Sequence, residues 1–402
     1  MIKFSEYPLF SAHLKSNLAK HGFTEPTPVQ AQAIEPALAG RDLVATAQTG
    51  TGKTLAFVLP ILHRLEQSPK RPGIGALILS PTRELAIQIH ETFAKMAAGT
   101  GLHAAVAVGG LGERPQLQSM RKAQVLIATP GRLYDFLGRQ LVDLRGTRIL
   151  VLDEADRMLD LGFLPTIKKI LAALPAERQT MFFSATMESS VKHLVQEYVR
   201  DAVRIEVGSM TKPVDEVDLH LYEVEQDGKL GLLQKMLRQE EGTFLVFART
   251  KRGAERLSMK LSREGVSVAA IHGDRSQNQR NQALRGFQDG SYRVLVATDV
   301  AARGIHVEGI AHVVNFDLPQ VPEDFLHRVG RTARAGARGT ASTFATRSER
   351  SDVALIERTL ATRLVRQPVS NEDGTAVRLP ERRVVSFSPG RRARHSVARR
   401  FV

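Results

Sequence analysis

Short apolar runs alternate with longer amphipathic stretches along most of this chain, and no other feature restricts its fold more. In the first half the runs fall at residues 43–45, 76–79, 104–108, 125–128, 149–152 and 181–183, with helix-like segments such as 54–65 and 83–96 between them. The second half keeps the rhythm at 243–247, 266–271, 292–297, 312–316 and 341–345. Strands separated by helices of this length call for parallel sheets with right-handed crossovers, so the expected class is α/β with doubly wound sheets. The 402 residues exceed what one hydrophobic core usually serves, and two lobes are expected. The halves share the rhythm but no sequence repeat. Residues 208–218 are polar, contain Gly208 and Pro213 and lack a sustained period, so they read as a linker. That leaves 32–207 and 219–365 as the lobes and 1–31 as a leading segment.

From 366 onward the period fades, and nine arginines stand against three acidic residues, which reads as a disordered basic tail. With a net charge of +14 for the whole chain, the expected partner is a polyanion, most simply a nucleic acid. Cysteine is absent, which excludes disulfides, thiol catalysis and cysteine-bound zinc and fits a reducing, cytoplasmic setting. The apolar stretch 55–62 is short and carries Pro60, so no membrane span is expected. The opening MIKFSEYPLF has neither the basic nor the apolar region of a secretory signal.

Residues 47–54, AQTGTGKT, follow the first strand run and open a helix. Gly50 and Gly52 let consecutive backbone N–H groups curl around phosphate oxygens, reinforced by the helix N-terminus. Lys53 is placed to neutralise β- and γ-phosphates, and the Thr54 hydroxyl to ligate Mg²⁺. A glycine-rich turn without a ligand is the plainer alternative, but both flanks match a phosphate loop. The run 149–152 leads straight into Asp153-Glu-Ala-Asp156. A buried strand ending in Asp-Glu suits a magnesium aspartate, Asp153, and a carboxylate that orients the attacking water, Glu154. Alone, the cluster could be an acidic cap on a solvated helix; about 100 residues after a phosphate loop, the catalytic reading prevails.

Together these motifs resemble the DEAD-box RNA helicases over residues 4 to about 365. Phe4, Gly22-Phe23 and residues 26–30 (PTPVQ) are similar to the family's adenine-recognising Q motif, which occupies 1–31. Residues 81–86 (PTRELA), Gly109-Gly110, 129–132 (TPGR), the acidic cluster and 184–186 (SAT) follow in family order. So do 246–250 (VFART), 272–274 (HGD), Gln277 with Arg280, 297–304 (ATDVAARG) and 327–334 (HRVGRTAR). The bacterial RhlE-like branch is nearest in pattern. The resemblance implies two tandem RecA-like lobes and an ATP-dependent RNA helicase that unwinds duplexes locally and remodels RNA–protein complexes.

It also implies the site. ATP would be met by Phe4, Phe23, Gln30 and the loop Thr46, Ala47, Gln48, Thr49, Gly50, Thr51, Gly52, Lys53 and Thr54, with Asp299 and Gly304 approaching the ribose. Catalysis would fall to Lys53, Asp153 and Glu154, with Arg331 and Arg334, three apart and on one face if helical, as fingers toward the γ-phosphate. Asp156, Ser184, Thr186, His327 and Arg328 would couple hydrolysis to strand separation. RNA would be gripped by Thr82, Arg83, Gly109, Gly110, Thr129 and Arg132 from one lobe, and by Arg249, Thr250, Gln277, Arg280 and Thr298 from the other. Backbone contacts of this kind carry no sequence information. RNA, single-stranded or duplex, is the implied partner, with ribosome-assembly or RNA-decay proteins beside it. Two positions depart from the family: Ala333 stands where glycine is common, and Phe325 where tyrosine is usual. A DNA-translocating helicase and a non-hydrolysing RNA clamp are the rival readings.

Overall fold

The computed structural model describes residues 3–47, 51–68, 73–207, 217–302, 309–332 and 338–369. Seven parallel strands form the first sheet: β1 Leu43–Ala47, β2 Ala76–Leu79, β3 Ala104–Ala107, β4 Val125–Ala128, β5 Ile149–Leu152, β6 Gln179–Ser184 and β7 Val203–Val207. A second sheet comprises β8 Val217–Glu223, β9 Phe244–Phe247, β10 Val268–Ile271, β11 Val294–Ala297, β12 His312–Asn315, β13 Gly339–Ala345 and β14 Val365–Gln367. Their orders are β3-β4-β2-β5-β6-β1-β7 and β10-β11-β9-β12-β13-β8-β14. Counted within each lobe, these are the same order. The lobes therefore repeat a topology that their sequences do not repeat.

Packing follows from the pleat, which sends successive side chains to opposite faces. Along β5, Ile149 and Val151 enter one core while Leu150 and Leu152 enter the other. Likewise Met181 and Phe183 of β6 face one side, and Phe182 the other. Helices cover both faces, which is why these strands read as unbroken apolar runs rather than alternating ones. Each fully buried side chain of this size adds about 1.5–3 kcal/mol of apolar transfer free energy.

Strand ends differ from the sequence expectation by at most two residues where a strand was expected. Three strands were not foreseen: β7, β8 and β14. Of these, β8 takes Val217 and Asp218 from the expected linker, while β14 takes Arg366 and Gln367 from the expected tail. Arg366 is anchored there through Nη1 to Glu357 Oε1 at 2.8 Å. Pro60 does not interrupt its segment, since one helix runs through it from Lys53 to Gln67. The rest of the linker and tail, 208–216 and 370–402, lies outside the described residues. Among the described residues no helix is long and apolar enough to cross a membrane.

Candidate functional site

The carboxyl ends of β1, β5 and β6, neighbours in the sheet, bring the first group of residues together. Gly52 precedes the helix Lys53–Gln67 with φ +86°, and a Cβ there would lie 2.5 Å from Gln30 Nε2. Only glycine fits that close approach. Gln30 Nε2 donates to the Gly52 carbonyl at 2.8 Å, and its Oε1 accepts from Thr27 N at 2.9 Å. Half of the amide's capacity is thus spent inside the protein, leaving one N–H and one lone pair for a ligand. Thr27 Oγ1 adds a bond to the Thr51 carbonyl at 2.7 Å. The leading segment therefore grips the phosphate loop directly. Of its two aromatics, Phe4 is 2% exposed and belongs to the core, whereas Phe23 presents an exposed ring. Thr46 and Ala47 end β1, and Thr54 is the second residue of the helix. Gln48, Thr49 and Gly50 lie outside the described residues.

Lys53 Nζ, buried, donates to the Ala47 carbonyl at 2.9 Å. Asp153 lies just past β5 and is buried; burial pushes its carboxyl up to about 7, against the pull of Lys53 and with a further push from Glu154. Glu154 has φ +49°, a left-handed conformation that costs a non-glycine residue about 1–3 kcal/mol. Burial pushes the Glu154 carboxyl up, but Arg157, Lys53 and Arg331 outweigh it and hold it below the usual carboxylate range. Asp156 joins the acidic cluster to β6. Its Oδ2 accepts from Ala185 N at 3.0 Å and from Thr186 N at 2.8 Å, and its own N–H donates to Ser184 Oγ at 3.3 Å.

The second lobe faces this cluster. Arg331, 2% exposed, comes close enough to depress the Glu154 carboxyl, and its Nε donates to the His327 carbonyl at 3.2 Å. The helix Pro322–Val329 ends before Arg331, which lies in the turn that follows it. Arg334, Ala333 and Gly304 lie outside the described residues. Arg328 is buried and grips Asp299 with both Nε, at 2.6 Å, and Nη2, at 2.7 Å. His327 lines an interlobe cleft with Asp156, Thr186, Gln320, Val321 and Asp324. Phe325, where a tyrosine is usual, is fully buried in the second lobe's core.

A second group gathers at the other half of each sheet, where β3, β4 and β2 adjoin, as do β10, β11 and β9. Thr82 caps the helix Arg83–Met96 by accepting from Leu85 N, and Thr129 precedes the helix Pro130–Gly138. Gly110 has φ +75°, and a Cβ there would come within 2.0 Å of Arg83 Nη1. Arg132 stands 3.7 Å from Glu113 and 3.6 Å from Asp135. In the other lobe Thr250 caps the helix Lys251–Arg263, and Thr298 follows β11. Arg249 Nη2 donates to Glu349 at 3.0 Å.

Between these two sets lies a polar clasp that sequence reasoning missed. Glu84 Oε1 accepts from Gln277 Nε2 at 3.0 Å and pairs with Arg280 Nη2 at 3.0 Å, while Arg83 Nη1 donates to Gln277 Oε1 at 3.3 Å. Arg83, Gln277 and Arg280 thus each engage the opposite lobe. Glu84 escaped notice because an acid in a helix's first turn already has an ordinary explanation in the helix dipole. Arg157 was missed too; its Nε lies 3.8 Å from Glu154 Oε2, a pairing hidden in the unremarkable turn after the acidic cluster.

Two protein families match the chain: DEAD/DEAH box helicase over residues 27–194 and Helicase conserved C-terminal domain over 228–336. The chain is 38% identical over 375 residues to the DEAD-box ATP-dependent RNA helicase CshA of Bacillus subtilis, covering 92% of this chain and 75% of the relative. It is 42% identical over 353 residues to the ATP-dependent RNA helicase RhlB of Pseudomonas syringae pv. tomato, covering 85% and 89%. Among solved structures, S. cerevisiae Dbp5 bound to RNA and ADP BeF3 superposes with a TM-score of 0.82 at 30% identity, covering 89% of this chain and 94% of that one. Mss116p bound to ssRNA and AMP-PNP gives 0.84 at 26% identity, covering 91% and 78%.

Proposed function

Because the chain belongs to the DEAD-box ATP-dependent RNA helicases, we propose that ATP and a single RNA strand occupy opposite halves of one carboxyl edge, each held by both lobes. The chain has two RecA-like lobes and is an RNA-stimulated ATPase that couples ATP binding and hydrolysis to local unwinding of RNA duplexes. The observation that carries the division of labour is the strand order. Every assigned phosphate-loop, acidic-cluster and Ser-Ala-Thr residue ends or follows β1, β5 or β6 in the chain, while the assigned RNA contacts of the first lobe follow β2, β3 or β4.

In this reading Gln30 and Phe23 meet the adenine, the loop 46–54 wraps the phosphates, and Asp299 and Gly304 reach the ribose. Lys53 and the fingers Arg331 and Arg334 neutralise charge developing on the transferred phosphoryl group, and Glu154 takes the proton of the attacking water. The hard oxygen donors Asp153 and Thr54 suit Mg²⁺, and a buried carboxyl raised to about 7 is short of positive charge. That ion, bound with ATP, would add charge neutralisation at the β- and γ-phosphates. Asp156, Ser184 and Thr186, hydrogen-bonded to one another, pass a change at the acidic cluster to the interlobe cleft at His327.

RNA is taken through its backbone, without regard to sequence, by Thr82, Arg83, Gly109, Gly110, Thr129, Arg132, Arg249, Thr250, Gln277, Arg280 and Thr298. The zero cysteine content supports a cytoplasmic setting. The arginines of 378–400 support an RNA-tethering role for the tail, and ribosome-assembly or RNA-decay complexes are the partners this suits.

Both ligands need the same closed arrangement, so each favours the other's binding. RNA is expected to bind about 5–150-fold more tightly with a saturating non-hydrolysable ATP analogue than without it. Fluorescence anisotropy on a single-stranded RNA measures this, and equal affinities would remove the shared closed state from the account.

A further inference from the structure

Lys229 is fully buried, yet it opens the helix Lys229–Gln239, the end where the helix dipole disfavours a cation. Something must offset that placement. Its Nζ stands 3.7 Å from Asp317 Oδ1 and 3.7 Å from Glu349 Oε2, and 6.0 Å from the centre of the Phe316 ring. The ammonium makes no hydrogen bond among the described residues, so its hold on the two carboxylates is that of a charge set between them.

What the carboxylates do next gives the arrangement its meaning. The other oxygen of Asp317 accepts from the Arg249 backbone N–H at 2.9 Å. The other oxygen of Glu349 accepts from Arg249 Nη2 at 3.0 Å. Arg249 is therefore fixed at its backbone by one carboxylate and at its guanidinium by the other, with Thr250 next in the chain. Burial pushes the Glu349 carboxyl up, but the Thr346 N–H, Lys229 and Arg249 together hold it below its ordinary range, as a permanently ionised partner must be. Asp317 also reaches the nucleotide side, for its carbonyl accepts at 2.6 Å from Nη1 of Arg328, the residue that grips Asp299. Removing the ammonium would leave the two carboxylates without the charge set between them, and repulsion would loosen both of their grips on Arg249.

We propose that Lys229 is a positioning residue for RNA binding: it clamps Asp317 and Glu349 so that Arg249 and Thr250 keep the shape that meets the RNA strand. The inference rests on the reading of Arg249 and Thr250 as strand contacts. It assigns Lys229 no contact with RNA or ATP.

The test is ATPase activity of the full chain against increasing single-stranded RNA for wild type, Lys229→Met, Lys229→Arg, Glu349→Gln and Arg249→Ala. Lys229→Met is expected to raise the half-saturating RNA concentration about tenfold, with kcat at saturating RNA within about twofold of wild type. Lys229→Arg, which keeps the charge, recovers part of that loss. A purely structural lysine would lower the melting temperature and leave the RNA half-saturation of the folded protein unchanged, which overturns the proposal. Should Lys229→Met not fold, Glu349→Gln decides: it removes one jaw of the clamp, and an unchanged half-saturation likewise overturns it. Arg249→Ala separates the two levels. If it leaves the RNA response intact, the strand-contact reading fails and the clamp with it; if it weakens the response while Lys229→Met and Glu349→Gln do not, the clamp alone fails.

Discussion

Glu154→Gln is expected to slow ATP turnover by about 10²–10⁴-fold while ATP and RNA still bind. The amide keeps the shape of the carboxylate and loses its basicity. The site is built for an ionised group: Glu154 is 4% exposed, and Arg157, Lys53 and Arg331 outweigh the burial that would otherwise raise its pKa. Its left-handed backbone is a strain that an ordinary helix cap would not need. With the base disabled, the closed complex has no route through hydrolysis, so RNA should dissociate more slowly from the variant in the presence of ATP than from wild type. Multiple-turnover ATPase and RNA dissociation rates measure both effects. Near-normal turnover would take Glu154 out of the proton-accepting role.

The second large effect is expected from Arg331→Ala. A guanidinium supplied from the opposite lobe is worth about 10³–10⁵ in rate in other NTPases. Arg331 fits that role by position, since it is a second-lobe residue, 2% exposed, whose charge is felt at Glu154. The loss should fall on kcat, with RNA affinity nearly unchanged and a melting curve that remains cooperative. Arg331→Lys should recover little, because a point charge on a flexible stem does not reproduce the guanidinium fork. If RNA affinity falls and kcat does not, Arg331 is a strand contact. Arg334→Ala, at the matching position of the motif, is the natural companion measurement.

Much of this was legible before any coordinates. The central strands showed themselves because helices cover both faces of each sheet, which leaves no polar alternation to disguise an apolar run. Two of the three strands that escaped are of another kind. In β7, Arg204 and Glu206 are exposed and Ile205 is buried, and β14 is Val-Arg-Gln with two exposed residues. Charge on peripheral strands is how sheets avoid pairing with other chains, and it erases the signal that marks a buried strand.

The phosphate loop and acidic cluster were legible because their chemistry is local in sequence. Long-range pairings were not. Gln277 meets Glu84 across 193 positions, and Lys229 reads as an ordinary helix lysine until Asp317 and Glu349 are seen around it. Gln30 is expected near ATP for its amide, but its bond to the Gly52 carbonyl depends on how the leading segment folds back.

The most direct test of the account compares ATPase stimulation and duplex unwinding on RNA and DNA of the same sequence. Strong stimulation and ATP-dependent separation of the RNA duplex are expected, with little of either on DNA, because a grip on the sugar–phosphate backbone can recognise the 2′-hydroxyl that only RNA carries. Equal stimulation and unwinding on both would contradict it.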